Sequence, residues 1–88
     1  MIKLSKDSFM ILKHCLQKYN PDLIPIIENP NISEYTSEFY NQLREIIGDE
    51  FINHGLKADS EPNQYGMILE KLIDEIGRLF LYKQKGEK

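Results

Sequence analysis

The apolar residues of this chain recur at helical spacing in three separate stretches, and all four prolines, Pro21, Pro25, Pro30 and Pro62, fall between those stretches. Proline ends or kinks a helix because it lacks the N–H donor and its ring crowds the preceding turn. No segment shows the strict alternation that a half-buried strand requires. The pattern predicts an all-α chain: a compact bundle of three main helices plus one short proline-interrupted helical turn.

The first helix is expected from about Ser5 or Lys6 to Tyr19, capped by Ser5 or Asp7. At about 100° per residue, Ser8, Phe9, Ile11, Leu12, Cys15, Leu16 and Tyr19 share one stripe, with Lys13, His14, Gln17 and Lys18 opposite. Asn20-Pro21 stops it. The run from Pro21 to Pro30 carries Leu23, Ile24, Ile26 and Ile27, too much apolar surface to leave in water, and is expected to fold over the core as a lid. The second main helix is expected from Ser33 or Thr36 to His54, with Gly55 closing it. Its stripe is Tyr35, Phe39, Leu43, Ile46 and Ile47, extended by Tyr40 and Phe51. Gly48 lies inside it, where close packing or a slight bend would explain a residue that costs about 1 kcal/mol relative to alanine. The third helix opens at Pro62-Asn63 and runs to about Lys83, burying Tyr65, Ile68, Leu69, Leu72, Ile73, Ile76, Leu79 and Phe80. Gly66 and Gly77 line one edge of it, where a neighbouring backbone could approach. Residues 1–83 form a single domain in this reading, and 84–88 a frayed basic tail.

Eighty-eight residues suffice for one hydrophobic core and not two. Cys15 is the only cysteine, so no internal disulfide can staple the domain, and the opening residues carry charge before any apolar run develops. No stretch is long enough to span a membrane. These features lead to the expectation of a soluble, cytoplasmic protein.

Glu50 breaks the pattern. On the second helix it falls between Phe39 and Leu43, on the apolar side, and His54 follows one turn later. A buried charge is costly unless it is paired. The sequence offers several partners: backbone N–H groups at the start of the third helix, His54, or Arg44. The functional alternative is a carboxylate and an imidazole lining a small-ligand pocket. As a metal site the pair is short of ligands, and no second cluster supplies them. His14 and Cys15 project in different directions from a helix, which argues against a nucleophilic pair. There is no phosphate-binding glycine loop and no nucleophile elbow. No catalytic residue, cofactor site or metal site is assigned, and Glu50 and His54 are expected as buried polar groups.

Charge is unevenly placed. The net formal charge is −3, yet residues 1–20 sum to +3, residues 21–63 to −7 and residues 64–88 to +1. The acidic middle can steer a basic partner, although acids near helix N-termini also suit the helix dipole. Glu45 and Asp49, like Glu70 and Asp74, are paired acids on expected solvent faces. Asp59-Ser60-Glu61-Pro62-Asn63-Gln64-Tyr65-Gly66 combines turn, proline and cap chemistry, and alternatively forms an exposed recognition loop bearing Tyr65. Glu45, Asp49, Asp59, Glu61 and Tyr65 are the expected partner-binding residues. Nucleic acid is not the expected partner, since the acids oppose the few lysines of the first helix and tail.

The run Glu61-Pro62-Asn63-Gln64-Tyr65-Gly66-Met67-Ile68-Leu69-Glu70-Lys71-Leu72-Ile73-Asp74, with Leu43-Arg44-Glu45-Ile46-Ile47-Gly48-Asp49-Glu50-Phe51, resembles small uncharacterised helical proteins of Gram-positive bacteria, some of them immunity-protein-like. The resemblance covers about residues 35–80 and brings no catalytic residues. Size and four-helix plan are also similar to the immunity proteins of nuclease bacteriocins, whose paired-tyrosine-proline binding motif is absent here. The implied role is a non-enzymatic protein-binding module, in its sharpest form an immunity- or antitoxin-like inhibitor whose acidic surface meets a basic protein. The alternative is a structural or regulatory helical homodimer using the outward apolar residues Met10, Ile52, Met67 and Leu81.

Overall fold

A computed structural model of the protein describes the backbone of residues 1–86 and the side chains of residues 1–81. Helix α1 spans Lys6–Tyr19, a 3-10 turn covers Pro21–Leu23, α2 spans Ile24–Glu28, α3 spans Ser37–His54 and α4 spans Gln64–Gly86. Among the described residues the fold is all-α, with three main helices and one short one. The expected basic tail over 84–88 is helical as far as Gly86, and Glu87 and Lys88 lie outside the described residues.

Each main helix starts where its sequence provides a cap. The Ser5 hydroxyl accepts from the Ser8 N–H at 3.3 Å, and the Thr36 hydroxyl accepts from the Phe39 N–H at 3.0 Å. Asn63, not Pro62, caps α4: its side-chain oxygen accepts from the Gly66 N–H at 2.7 Å, while its amide nitrogen donates to the His54 carbonyl at 3.0 Å. One side chain thus stitches the end of α3 to the start of α4.

The core is built from the three stripes. Leu12, Cys15, Leu16, Ile27, Leu43, Ile47, Leu69, Leu72 and Ile76 are fully buried. Helices α3 and α4 form the most extensive pair, and α1 packs on both. The lid is as expected: Pro21 and Pro25 confine it to short turns, and it turns Leu23 and Ile27 inward. An ion pair between Lys13 and Glu28 at 2.8 Å also ties α2 to α1. Both side chains are about two-fifths exposed, so this pair contributes at most about 1 kcal/mol, against about 1.5–3 kcal/mol for each buried aliphatic side chain. Burial holds the lid. The Tyr35 hydroxyl reinforces it by donating to the carbonyls of Ile26 and Ile32 at 3.3 and 3.4 Å, while its ring stacks on Phe39 at 4.9 Å.

Of the glycines, Gly66 is as expected, and Gly48 and Gly77 depart from expectation. A Cβ at Gly48 or Gly77 would meet nothing within 4 Å, so neither marks a close backbone approach. Gly66 does: a Cβ there would lie 2.0 Å from the Gly55 carbonyl oxygen. Gly55 closes α3 at φ −100°, outside the left-handed region, so the closeness to a Cβ position of the Phe51 carbonyl at 2.8 Å and the Gly66 Cα at 3.0 Å, rather than backbone freedom, requires glycine there. Between the two, Leu56 and Pro62 form an isolated antiparallel bridge, and Ser60 takes φ 68° at the tip of the loop.

Candidate functional site

Helices α1 and α3 both end, and α4 begins, at the same end of the bundle, because Asn20-Pro21 stops α1 as the Gly55–Gly66 contact folds α4 back along α3. Glu50 sits one turn before the end of α3, 1% exposed. Its side chain is fully engaged. The Lys18 ammonium donates to both carboxylate oxygens at 2.8 Å. The Tyr19 hydroxyl donates to Oε1 at 3.0 Å and the Tyr65 hydroxyl to Oε2 at 2.7 Å. Asn53 extends the network outward, its amide donating to the Tyr19 oxygen at 3.4 Å.

The protonation states follow from this arrangement. Burial alone would push the Glu50 carboxyl up, but the bonds from Lys18, Tyr65 and Tyr19 together outweigh it and hold the group below the usual carboxylate range. Glu50 is ionised. Its bond raises the Lys18 ammonium above the ordinary lysine value. Burial, then the bond to Glu50, pushes the Tyr65 phenol far up, so it stays a donor. Burial and the nearby Glu50 charge lift the Cys15 thiol to about 11. Cys15 is therefore a core thiol with little thiolate character at neutral pH.

Three expectations are corrected here. His54 is not a buried polar group: it is exposed at the last residue of α3. Its angular position does face the core side, but α1 has ended at Tyr19 and nothing covers it. Neither His54 nor Arg44 nor any backbone N–H pairs with Glu50. The partners are Lys18 and the two tyrosines. Tyr65, expected on an exposed loop, has a half-buried ring, and its hydroxyl is committed to Glu50. A helical wheel does not single out Lys18, which lies off the apolar stripe; its long stem carries the ammonium back over the edge of the core.

The remaining expected partner residues are exposed. Glu45 and Asp49 lie on the outer face of α3 with Glu38, and Ile52 beside them is 68% exposed. Asp59 and Glu61 project from the loop, where the Asp59 carboxylate accepts from the Glu61 N–H at 3.1 Å. Among the described residues, none of these five acids forms an ion pair. No group of three or more metal-ligating side chains and no helix long and apolar enough to cross a membrane occurs among the described residues. No family model matches the chain, and comparison with curated proteins and with solved structures returns no relative.

Proposed function

We propose that this chain is a non-enzymatic protein-binding module that presents the outer face of α3 and the 56–61 loop to a basic protein partner in the cytoplasm. The observation that supports this most directly is the set of exposed acids, Glu38, Glu45, Asp49, Asp59 and Glu61, unpaired among the described residues, with the exposed Ile52 following Glu45 and Asp49 along the outer stripe of α3. Acids that served the fold would be expected to carry nearby cations. Here Lys18 is engaged inward with Glu50, and Lys57 in the loop forms no ion pair among the described residues. An apolar anchor rimmed by carboxylates is the arrangement that gives fast, salt-sensitive association. An inhibitor of immunity or antitoxin type is the sharpest form of the reading.

The same reading gives Glu50 a structural part. Both of its oxygens are occupied by donors from the chain itself, which leaves no carboxylate lone pair directed at a ligand.

The test is capture of partners from the native host on the immobilised protein, with elution in rising salt, run beside a Glu45→Lys/Asp49→Lys variant. A basic protein retained by the natural chain, released by salt and lost by the variant supports the reading. Equal capture by both, or no capture by either, contradicts it.

A further inference from the structure

Two helices packed side by side leave a groove along each flank of their contact. Helix α1 packs on both α3 and α4 and so fills one flank of that pair. An open groove of about 440 Å³ also lies between α3 and α4, and no residue of α1 or the lid lines it. Its lining is Arg44 from α3 with Ile73, Asp74, Gly77, Arg78 and Leu81 from α4. The chain has only these two arginines, and both stand here. Both are exposed, and among the described residues neither forms an ion pair.

The apolar part of the lining has a notch. Ile73, Gly77 and Leu81 follow at intervals of four and form one ridge along α4. Leu81 is 59% exposed, and a Cβ at Gly77 would meet nothing within 4 Å. The middle of the ridge is therefore bare, with room for an apolar side chain from outside. Charge selects what accompanies that side chain. Asp74 offsets one guanidinium at most, so the groove keeps a surplus positive charge on a chain whose net charge is −3. The planar fork of arginine matches a carboxylate. A nucleic acid fits poorly: two cations are few for a run of phosphates, and Asp74, with Glu70 one turn before it, repels one. A lone small anion would leave the apolar ridge uncovered. The occupant that satisfies both parts carries an apolar residue and a carboxylate on one face, and a groove between two helices has the shape for a third.

We infer that this groove binds an acidic amphipathic helix of a protein partner, its apolar residue seated over Gly77 and its carboxylate held by Arg44 and Arg78. The inference does not rest on the acidic-face reading, since Glu38, Glu45 and Asp49 do not line the groove.

The probes are two labelled, alanine-based helical peptides of equal length. One has leucine and glutamate sharing a face, and the other has glutamine in place of each glutamate. Binding to the full chain is followed by fluorescence anisotropy up to about 1 mM protein, a range that includes weak contacts of a single helix. The natural chain should bind the glutamate peptide saturably, about tenfold more tightly than the glutamine peptide, and less tightly as salt rises. Arg44→Glu/Arg78→Glu should weaken binding of the glutamate peptide about tenfold or more. Gly77→Leu, which fills the notch, should weaken binding of both peptides. Both arginines are exposed and Gly77 faces open space, so each variant should keep its fold, as circular dichroism checks. Absence of saturable binding overturns the inference, as does equal affinity for the two peptides or binding of the glutamate peptide unchanged by the arginine reversal.

Discussion

Replacing Glu50 by Gln keeps the shape of the side chain and removes its charge. In the natural protein four hydrogen bonds converge on a carboxylate that is 1% exposed, two from Lys18 and one each from Tyr19 and Tyr65. A bond to a charged group contributes about 1.5–3 kcal/mol, a neutral one about 1 kcal/mol. In the variant the two tyrosine bonds become neutral at best, and the amide nitrogen faces a donor in place of an acceptor. The half-exposed Lys18 head can turn to water, so its loss is discounted. The net cost at neutral pH is about 2 kcal/mol, or a fall in melting temperature of about 8–16 °C for a domain of this size. The sign of the pH dependence follows from the depressed carboxyl. Ionised Glu50 contributes stability that is present above the ordinary carboxylate range and is lost as pH falls through its lower folded value. The gap between natural protein and variant should therefore be largest near neutrality and close in acid. Urea unfolding followed by circular dichroism at neutral pH and in the acid range measures both quantities. A variant of unchanged stability at neutral pH, or a gap that widens in acid, would refute the reasoning.

Three further outcomes are expected. Gly66→Ala forces a Cβ to within 2.0 Å of the Gly55 carbonyl and should cost about 3 kcal/mol or more, whereas Gly48→Ala meets open space and should stabilise α3 by about 1 kcal/mol; chemical denaturation of the two side by side checks the contrast. Thr36→Ala removes the cap of α3 and should cost about 1 kcal/mol in the same assay. Cys15, fully buried with its thiol pushed up to about 11, should react with a thiol reagent at neutral pH only as fast as the chain unfolds; rapid reaction of the folded protein would contradict the described core.

The helices were readable because each stripe, cap and proline is a local signal. Lys6–Tyr19 and Ser37–His54 lie within a residue or so of where Ser5, Thr36, Asn20-Pro21 and Gly55 would place them. Glu50 was readable for the same reason: an angular position needs only a count along one helix. Its partners were not, because Lys18 and Tyr19 come from another helix and Tyr65 from a third. Which side chains meet depends on where α1 stops relative to α3. His54 shows the complementary failure, since its angle faces the core but its height is beyond the point where α1 ends. Gly66 was read correctly as a place of close backbone approach, but Gly48 and Gly77 were not, because sequence marks a missing side chain without showing what lies across from it. Gly48 and Gly77 look like packing glycines and face open space, while Gly55 and Gly66 touch through a loop that hides their proximity.

The Gly55–Gly66 corner sets more than the angle of a hairpin. Tyr65 precedes Gly66, so the separation of the two backbones at that corner fixes how far the Tyr65 hydroxyl reaches toward Glu50. A methyl group at either glycine would open the corner like a wedge and withdraw a donor from a charge with no access to water. The damage would be felt at the far end of α1, in Lys18 and Tyr19, neither of which was altered. In a family of such sequences, these two glycines and the four side chains of the Glu50 network should accordingly change together or not at all.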